Sequence, residues 1–244
     1  MEYDHGVRVT QHLHEMTPLE RLLVEFEAKA KNYHAQKNCT VPPTKEEERK
    51  AQKELQKLLK KLQIERLAAL GQASVQLNLD QYRAALKPAD GDTRQQKAIL
   101  RGAMGLEKHH PTKVLAKYMQ EHGPAKPDDC FVAHHIVQGK GCTQFAAESR
   151  IDLHFHGIRI NDPVNGAWMP RFIEHKGHPA MPKANAHAEI HTKNYEHWVH
   201  SLTHHLVSEQ AFKDKLKSIR HQLRDGAQPN YVTEPPLQEV FKKV

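Results

Sequence analysis

Cysteine is scarce in this 244-residue chain: there are three, Cys39, Cys130 and Cys142, and no two form a Cys-x-x-Cys pair. An odd, unpaired set supports neither a disulfide framework nor a cysteine zinc site, and it suits a reducing compartment in the producing cell. No apolar run approaches the roughly 18 residues that a membrane-spanning helix needs. The first residues, MEYDHGVRVTQHLHEM, lack the basic start and apolar stretch of a secretory signal. There is no internal repeat, no low-complexity tail and no His-Glu-x-x-His motif of the zinc proteases.

Two things are abundant instead. The net charge is +7 with histidine neutral, and a basic surface attracts polyanions because phosphate neutralisation releases condensed counterions. Histidine is also enriched, with 20 residues in all. They crowd the stretch from His134 to His205. Histidine offers neutral nitrogen ligands for metals and a base whose pKa lies near neutrality.

Hydrophobic spacing predicts helices over Met16–His34, Lys45–Ala69, Gln76–Leu86, Thr93–Met104 and Thr112–His122, with breaks at Cys39–Thr44 and Pro88–Asp92. In the second, Leu55, Leu58, Leu59, Leu62 and Leu67 form one side, expected to be buried against neighbouring helices. The loop Gly123–Asp129 is the expected boundary between a helical region, 1–127, and a second region, 128–244. Beyond it, Cys130–Val137 reads as a strand, Thr143–His156 as a helix ended by Gly157, and Asn165-Gly166 as a hairpin turn. A helix starting near Ala186 is expected to carry His187, His191, Tyr195, Trp198 and Leu202 on one side. The fold class expected is α+β, predominantly α.

Neighbouring residues on a strand point to opposite faces, so His134 and His135 take different jobs. Residues four apart on a helix share a face, so His187 and His191 can approach one ion together with His134. Three nitrogens with positions left open describe a catalytic rather than a structural site. Metal-assisted phosphodiester hydrolysis also needs a base near neutral pKa and a partner that fixes its tautomer. His135 is the expected base and Asn165 its orienting partner. Lys140, Arg159 and Lys193 are candidate nucleic-acid contacts, and His154 and His156 are at most further phosphate contacts. His197, His200 and His204 read as a solvated helix face, and Lys213 to Arg224 as a basic stretch on an exposed helix or along a nucleic-acid backbone.

Ala133-His134-His135-Ile136-Val137, the stretch from Gly157 to Gly166 leading to Met169-Pro170, and His191-Thr192-Lys193-Asn194-Tyr195 together resemble the AHH branch of the HNH endonucleases. The resemblance runs from about Phe131 to Leu206. It implies a small ββα-metal core, followed here by a long C-terminal helix, that cuts DNA or RNA with one divalent ion, Mg²⁺, Zn²⁺ or another transition metal. It implies His134 and His191 as ligands, His135 as base and Asn165 as the middle asparagine. Many relatives approach the helix through a compact Gly-x-His-Pro, so His178, in Gly177-His178-Pro179, competes with His187 for one ligand position; helical geometry favours His187. It further implies an antibacterial toxin with a cognate immunity protein, made in the bacterial cytoplasm and delivered by a secretion system into a target cell. DNA is the favoured substrate. The alternative is a histidine-ligated zinc module that binds nucleic acid without cutting it.

Overall fold

The computed structural model of the protein describes residues 3–4, 7–8, 18–38, 44–86, 93–109 and 112–234. Of the break expected at Cys39–Thr44 only Thr44 is among them, and the break expected at Pro88–Asp92 lies outside them. The chain divides into two compact units, Met1–Leu77 and Asn78–Val244. The helices before residue 122 that follow Asn78 thus belong to the same unit as the residues after 128.

In the first unit, β1 (Tyr3–Asp4) pairs antiparallel with β2 (Val7–Arg8). Two long helices follow, α1 (Pro18–Lys37) and α2 (Lys45–Leu86), the second continuing into the second unit from Asn78. Glutamates in the first turn of α2 (Glu46, Glu47 and Glu48) complement the positive end of its dipole. Lys29 of α1 is paired with Glu65 of α2 at 2.7 Å. The expected leucine side is only half realised: Leu62 is buried, whereas Leu59 and Leu67 are exposed.

The second unit is built around a two-stranded antiparallel sheet, β3 (Phe131–His135) and β4 (Gly166–Pro170), in the register Ala133 opposite Trp168, His134 opposite Ala167 and His135 opposite Gly166. The helices α3 (Arg94–Gly105), α4 (Lys113–His122), α5 (Gln144–Phe155), α6 (Lys193–Thr203) and α7 (Glu209–Asp225) surround it. Each boundary has a local cause. Thr93 and Gln96 form a reciprocal capping box on α3. Thr143, Thr192 and Ser208 each accept a backbone N–H at the start of α5, α6 and α7. Gly226, in the left-handed region at φ 61°, ends α7.

Alternation along the strands feeds two cores. Phe131, Ala133 and Trp168 join Leu115 and Met119 of α4 on one face. On the other, Ala167 and Met169 join Tyr195 and Trp198 of α6 and Phe212, Leu216 and Ile219 of α7. The buried Glu196 carboxylate accepts the backbone N–H groups of Cys142 and Thr143 at 2.8 Å each, tying α6 to the start of α5. Arg220 turns inward from α7 and donates to the carbonyls of Gly166 (2.6 Å), Pro163 (2.7 Å) and Val164 (3.0 Å). It clamps the turn before β4, so this member of the basic C-terminal stretch is a structural clamp.

Two expectations are corrected. Asn165-Gly166 is not a two-residue hairpin: Pro163–Asn165 is a 3-10 turn capped by Asp162, and Gly166 has φ −114°, whereas a type I′ turn needs positive φ at both centres. The partner of β4 is β3, far upstream. The helix expected from Ala186 is also divided. His187–Ile190 forms a 3-10 turn, His191 breaks at φ −80° and ψ 60°, and α6 starts anew behind Thr192.

Candidate metal centre and base

A pocket of about 110 Å³ opens beside the end of β3, lined by His109, Thr112, His134, His135, Gln138, Gly139, Lys140, His187 and His191. The pleat of β3 turns His134 and His135 to opposite sides, and each is held by its own buried partner.

His134 is 1% exposed. Its Nε2 lies 2.9 Å from the Tyr195 hydroxyl, and that hydroxyl donates to the Ile136 carbonyl at 3.0 Å. The tyrosine proton is thus spent on Ile136, so the tyrosine oxygen accepts from His134 Nε2–H and the lone pair falls on Nδ1. His134 Nδ1 is buried with no hydrogen-bond partner. Burial first, then the neighbouring His187, His191 and His135, holds this imidazole well below its usual pKa and therefore neutral.

His187 and His191 complete the group. Their Nε2 atoms stand 3.0 Å apart, and their rings lie 5.2 and 5.3 Å from the His134 ring. One nitrogen from each of the three lies within 4.8 Å of the others. The meeting is as expected, but its cause is not a shared α-helical face: the 3-10 turn and the break at His191 bring the rings together. Gln138 Nε2 lies 3.4 Å from His191 Nδ1. An orphaned buried nitrogen facing two further imidazoles is a donor set that fits a divalent transition metal, since imidazole suits zinc, copper, iron and nickel better than magnesium. His178 is not among them. It lies 3.4 Å from Asp128 and edge-on to Phe131, in a separate group with Asp128 and Cys130.

On the other side, His135 Nε2 is 3.0 Å from Asn161 Oδ1. The Asn161 amide nitrogen donates to the Lys108 carbonyl at 3.0 Å and to Glu107 at 3.3 Å. With the amide nitrogen so engaged, its oxygen accepts from His135 Nε2–H, and the basic lone pair is placed on Nδ1. The side chain of the expected partner Asn165 is engaged elsewhere. It is 0% exposed, its Oδ1 accepts from Val137 N at 2.8 Å, and its Nδ2 donates to the carbonyls of Val137 (3.2 Å) and Ile160 (3.0 Å). Asn165 therefore pins the loop leaving β3, and Asn161 orients the histidine.

Behind Asn161 lies a second set of groups that sequence reasoning missed. Tyr82 accepts the Asn161 N–H at 2.9 Å and donates to Glu107. Burial, then Glu107, pushes the Tyr82 hydroxyl up, so it stays a donor. Glu107 in turn pairs with Arg159 at 2.9 Å, and the Arg159 guanidinium lies 3.7 Å over the Tyr82 ring. Arg159, expected at nucleic acid, is thus 9% exposed and spent inside the protein. His154 and His156 are likewise buried, not phosphate contacts. His109 stands edge-on to His135 at 6.0 Å and packs so closely on Gly139 that a Cβ there would lie 2.2 Å from its ring. Lys140 lines the pocket and is exposed, and Lys193 is exposed in the first turn of α6.

A family model for a nuclease family of the HNH/ENDO VII superfamily with conserved AHH matches residues 115–243, more than half of the chain. No curated protein and no solved structure was found to match. No helix among the described residues is long and apolar enough to cross a membrane.

Proposed function

The chain belongs to the AHH family of nucleases in the HNH/endonuclease VII superfamily, and from that premise we propose that it is a metal-dependent endonuclease whose ion is held by His134, His187 and His191 and whose general base is His135. Its substrate is nucleic acid. The observation that carries the reading is the division of one pocket: three converging imidazole nitrogens on one side and a singly oriented imidazole on the other.

A divalent ion in the first group would polarise the scissile phosphate and stabilise the leaving oxygen. Tyr195 keeps His134 Nδ1 unprotonated and aimed, the role that outer hydrogen-bond partners play around metal-ligating histidines. His135, with its proton fixed on Nε2 by Asn161, takes the proton of the attacking water on Nδ1. The Tyr82–Glu107–Arg159 group fixes the Asn161 amide. Lys140 at the rim and Lys193 nearby supply positive charge for the phosphate backbone.

DNA is the proposed substrate, and the proposed setting is a bacterial toxin that is paired with an immunity protein and delivered from the producing cytoplasm into a target cell. These rest on the basic charge and on the resemblance of the site segments to toxin nucleases. Residues 1–127 would then include the delivery or partner-binding region, and 128–244 the cutting region.

The test is plasmid and RNA cutting with and without chelator. Chelator is expected to abolish cutting of DNA. His135→Ala should lower the rate about 10²- to 10⁴-fold while metal stays bound, whereas His191→Ala should weaken metal binding itself. Full cutting by His135→Ala removes the mechanism.

A further inference from the structure

We propose that the protein holds a second, structural transition-metal ion between α5 and α6, ligated by Glu148, His200 and His204 with Asp152 as the fourth donor. The two helices present matched pairs: Glu148 and Asp152 are four residues apart on α5, and His200 and His204 are four apart at the end of α6. Each pair shares a helix face. They meet across the helix interface, with His200 Nε2 2.8 Å from Glu148 Oε2 and His204 Nδ1 2.9 Å from Asp152 Oδ2. One donor atom each from Glu148, His200 and His204 lies within 4.8 Å of the other two. His200 and His204 therefore face carboxylates, while His197 and His204 are exposed as expected of a solvated helix face.

Two salt bridges would explain the distances but not the stacking. The His200 and His204 rings lie 4.4 Å apart at an interplanar angle of 25°, so if both bridges were ionic two imidazolium cations would be stacked. A single dication removes the conflict: two neutral imidazoles and two carboxylates around it sum to zero charge. Two nitrogens and two oxygens suit tetrahedral zinc, whose donor–donor edges are roughly 3.3 Å for the usual bond lengths. The His200–Glu148 and His204–Asp152 separations, 2.8 and 2.9 Å, lie within about half an ångström of that edge. The Phe145 ring, 5.1 Å from His200, already restricts one ligand. The four donors leave no position for substrate, and the ion would brace α6, the helix that carries Tyr195.

The site is independent of the nuclease reading, and the experiment separates the two. Zn²⁺ or Co²⁺ is titrated into a chain carrying His134→Ala and His191→Ala, with bound equivalents and Tm as readouts. Adding His204→Ala should lower the bound equivalents by one and cancel a metal-dependent rise in Tm of about 4 °C or more. His204 is the exposed residue that caps α6, so its truncation spares the fold. If the double variant does not fold, the native chain against His204→Ala alone gives the same comparison, with one equivalent lost and cutting retained. Equal equivalents and an equal Tm shift with and without His204 overturn the proposal.

Discussion

The two units of this protein are both rich in helix and leucine, yet they use their apolar residues differently. In the first, Leu62 and Ala69 of α2 are buried while Ile64, Leu67, Leu70 and Leu77 of the same helix stand exposed. In the second, the two faces of β3 and β4 gather Leu115, Met119 and Trp168 on one side and Tyr195, Phe212 and Leu216 on the other, all nearly or wholly buried. Helical spacing of leucine supplies a stripe in both. What decides burial is an opposing surface, and the small sheet provides two. The site depends on this, because His134 and His135 can be buried back to back only where their strand has packed side chains on each side.

Substitutions in the two units should differ accordingly. Phe212→Ala, at a wholly buried position, is expected to cost about 3–5 kcal/mol in denaturant unfolding; a loss below 1 kcal/mol would show that the second core is loose. Asn161→Ala comes next, with cutting expected to fall about 10- to 100-fold and the unfolding midpoint to fall as the Glu107 and Lys108 bonds are lost. Asn165→Ala should act chiefly on stability, and the reverse pattern would return the orienting role to Asn165.

A smaller effect depends on pH. His154 is buried, and burial followed by Arg150 and Arg159 holds its pKa down at about 4, against 6.5 in an unfolded chain. Because the folded pKa is the lower, its neutral form costs nothing above pH 6.5. As pH falls from 6.5 toward 4, the unfolded chain takes up a proton that the folded one refuses, and stability is lost at up to about 1.4 kcal/mol per pH unit. His154→Leu should flatten the decline in Tm between pH 6.5 and 5; an unchanged slope would assign it to other groups. The smallest effect is expected in the first unit, where Leu67→Ala at a 69% exposed position should change stability by no more than about 0.5 kcal/mol. A loss like that of Phe212→Ala would reveal a covered face.

Much of the site was legible because strand alternation is a local property. The period of two along Phe131–His135 separates the two histidines whatever packs around them. Caps at Thr93 and Thr143, and Gly157 after α5, are local in the same way. The pairing of His187 with His191 was legible by spacing, though the backbone that achieves it is a 3-10 turn and a break, dictated by the new cap at Thr192. Asn161 and Asn165 were both visible in one short stretch, but nothing in their spacing tells which amide reaches His135. That choice depends on Tyr82 and Glu107, which lie 79 and 54 residues before Asn161.

By itself, then, the sequence determined most of the helices, the strand that carries the opposed pair of histidines, and the family to which residues 115–243 belong. Each of these rests on neighbours along the chain or on a motif. The tertiary structure alone decided that Asn161 rather than Asn165 orients His135, that Tyr195 sets the tautomer of His134, that Arg159 is buried, and that His200 and His204 face Glu148 and Asp152. Those outcomes are set by hydrogen-bond and charge partners distant in the chain, which only packing brings within 3 to 4 Å.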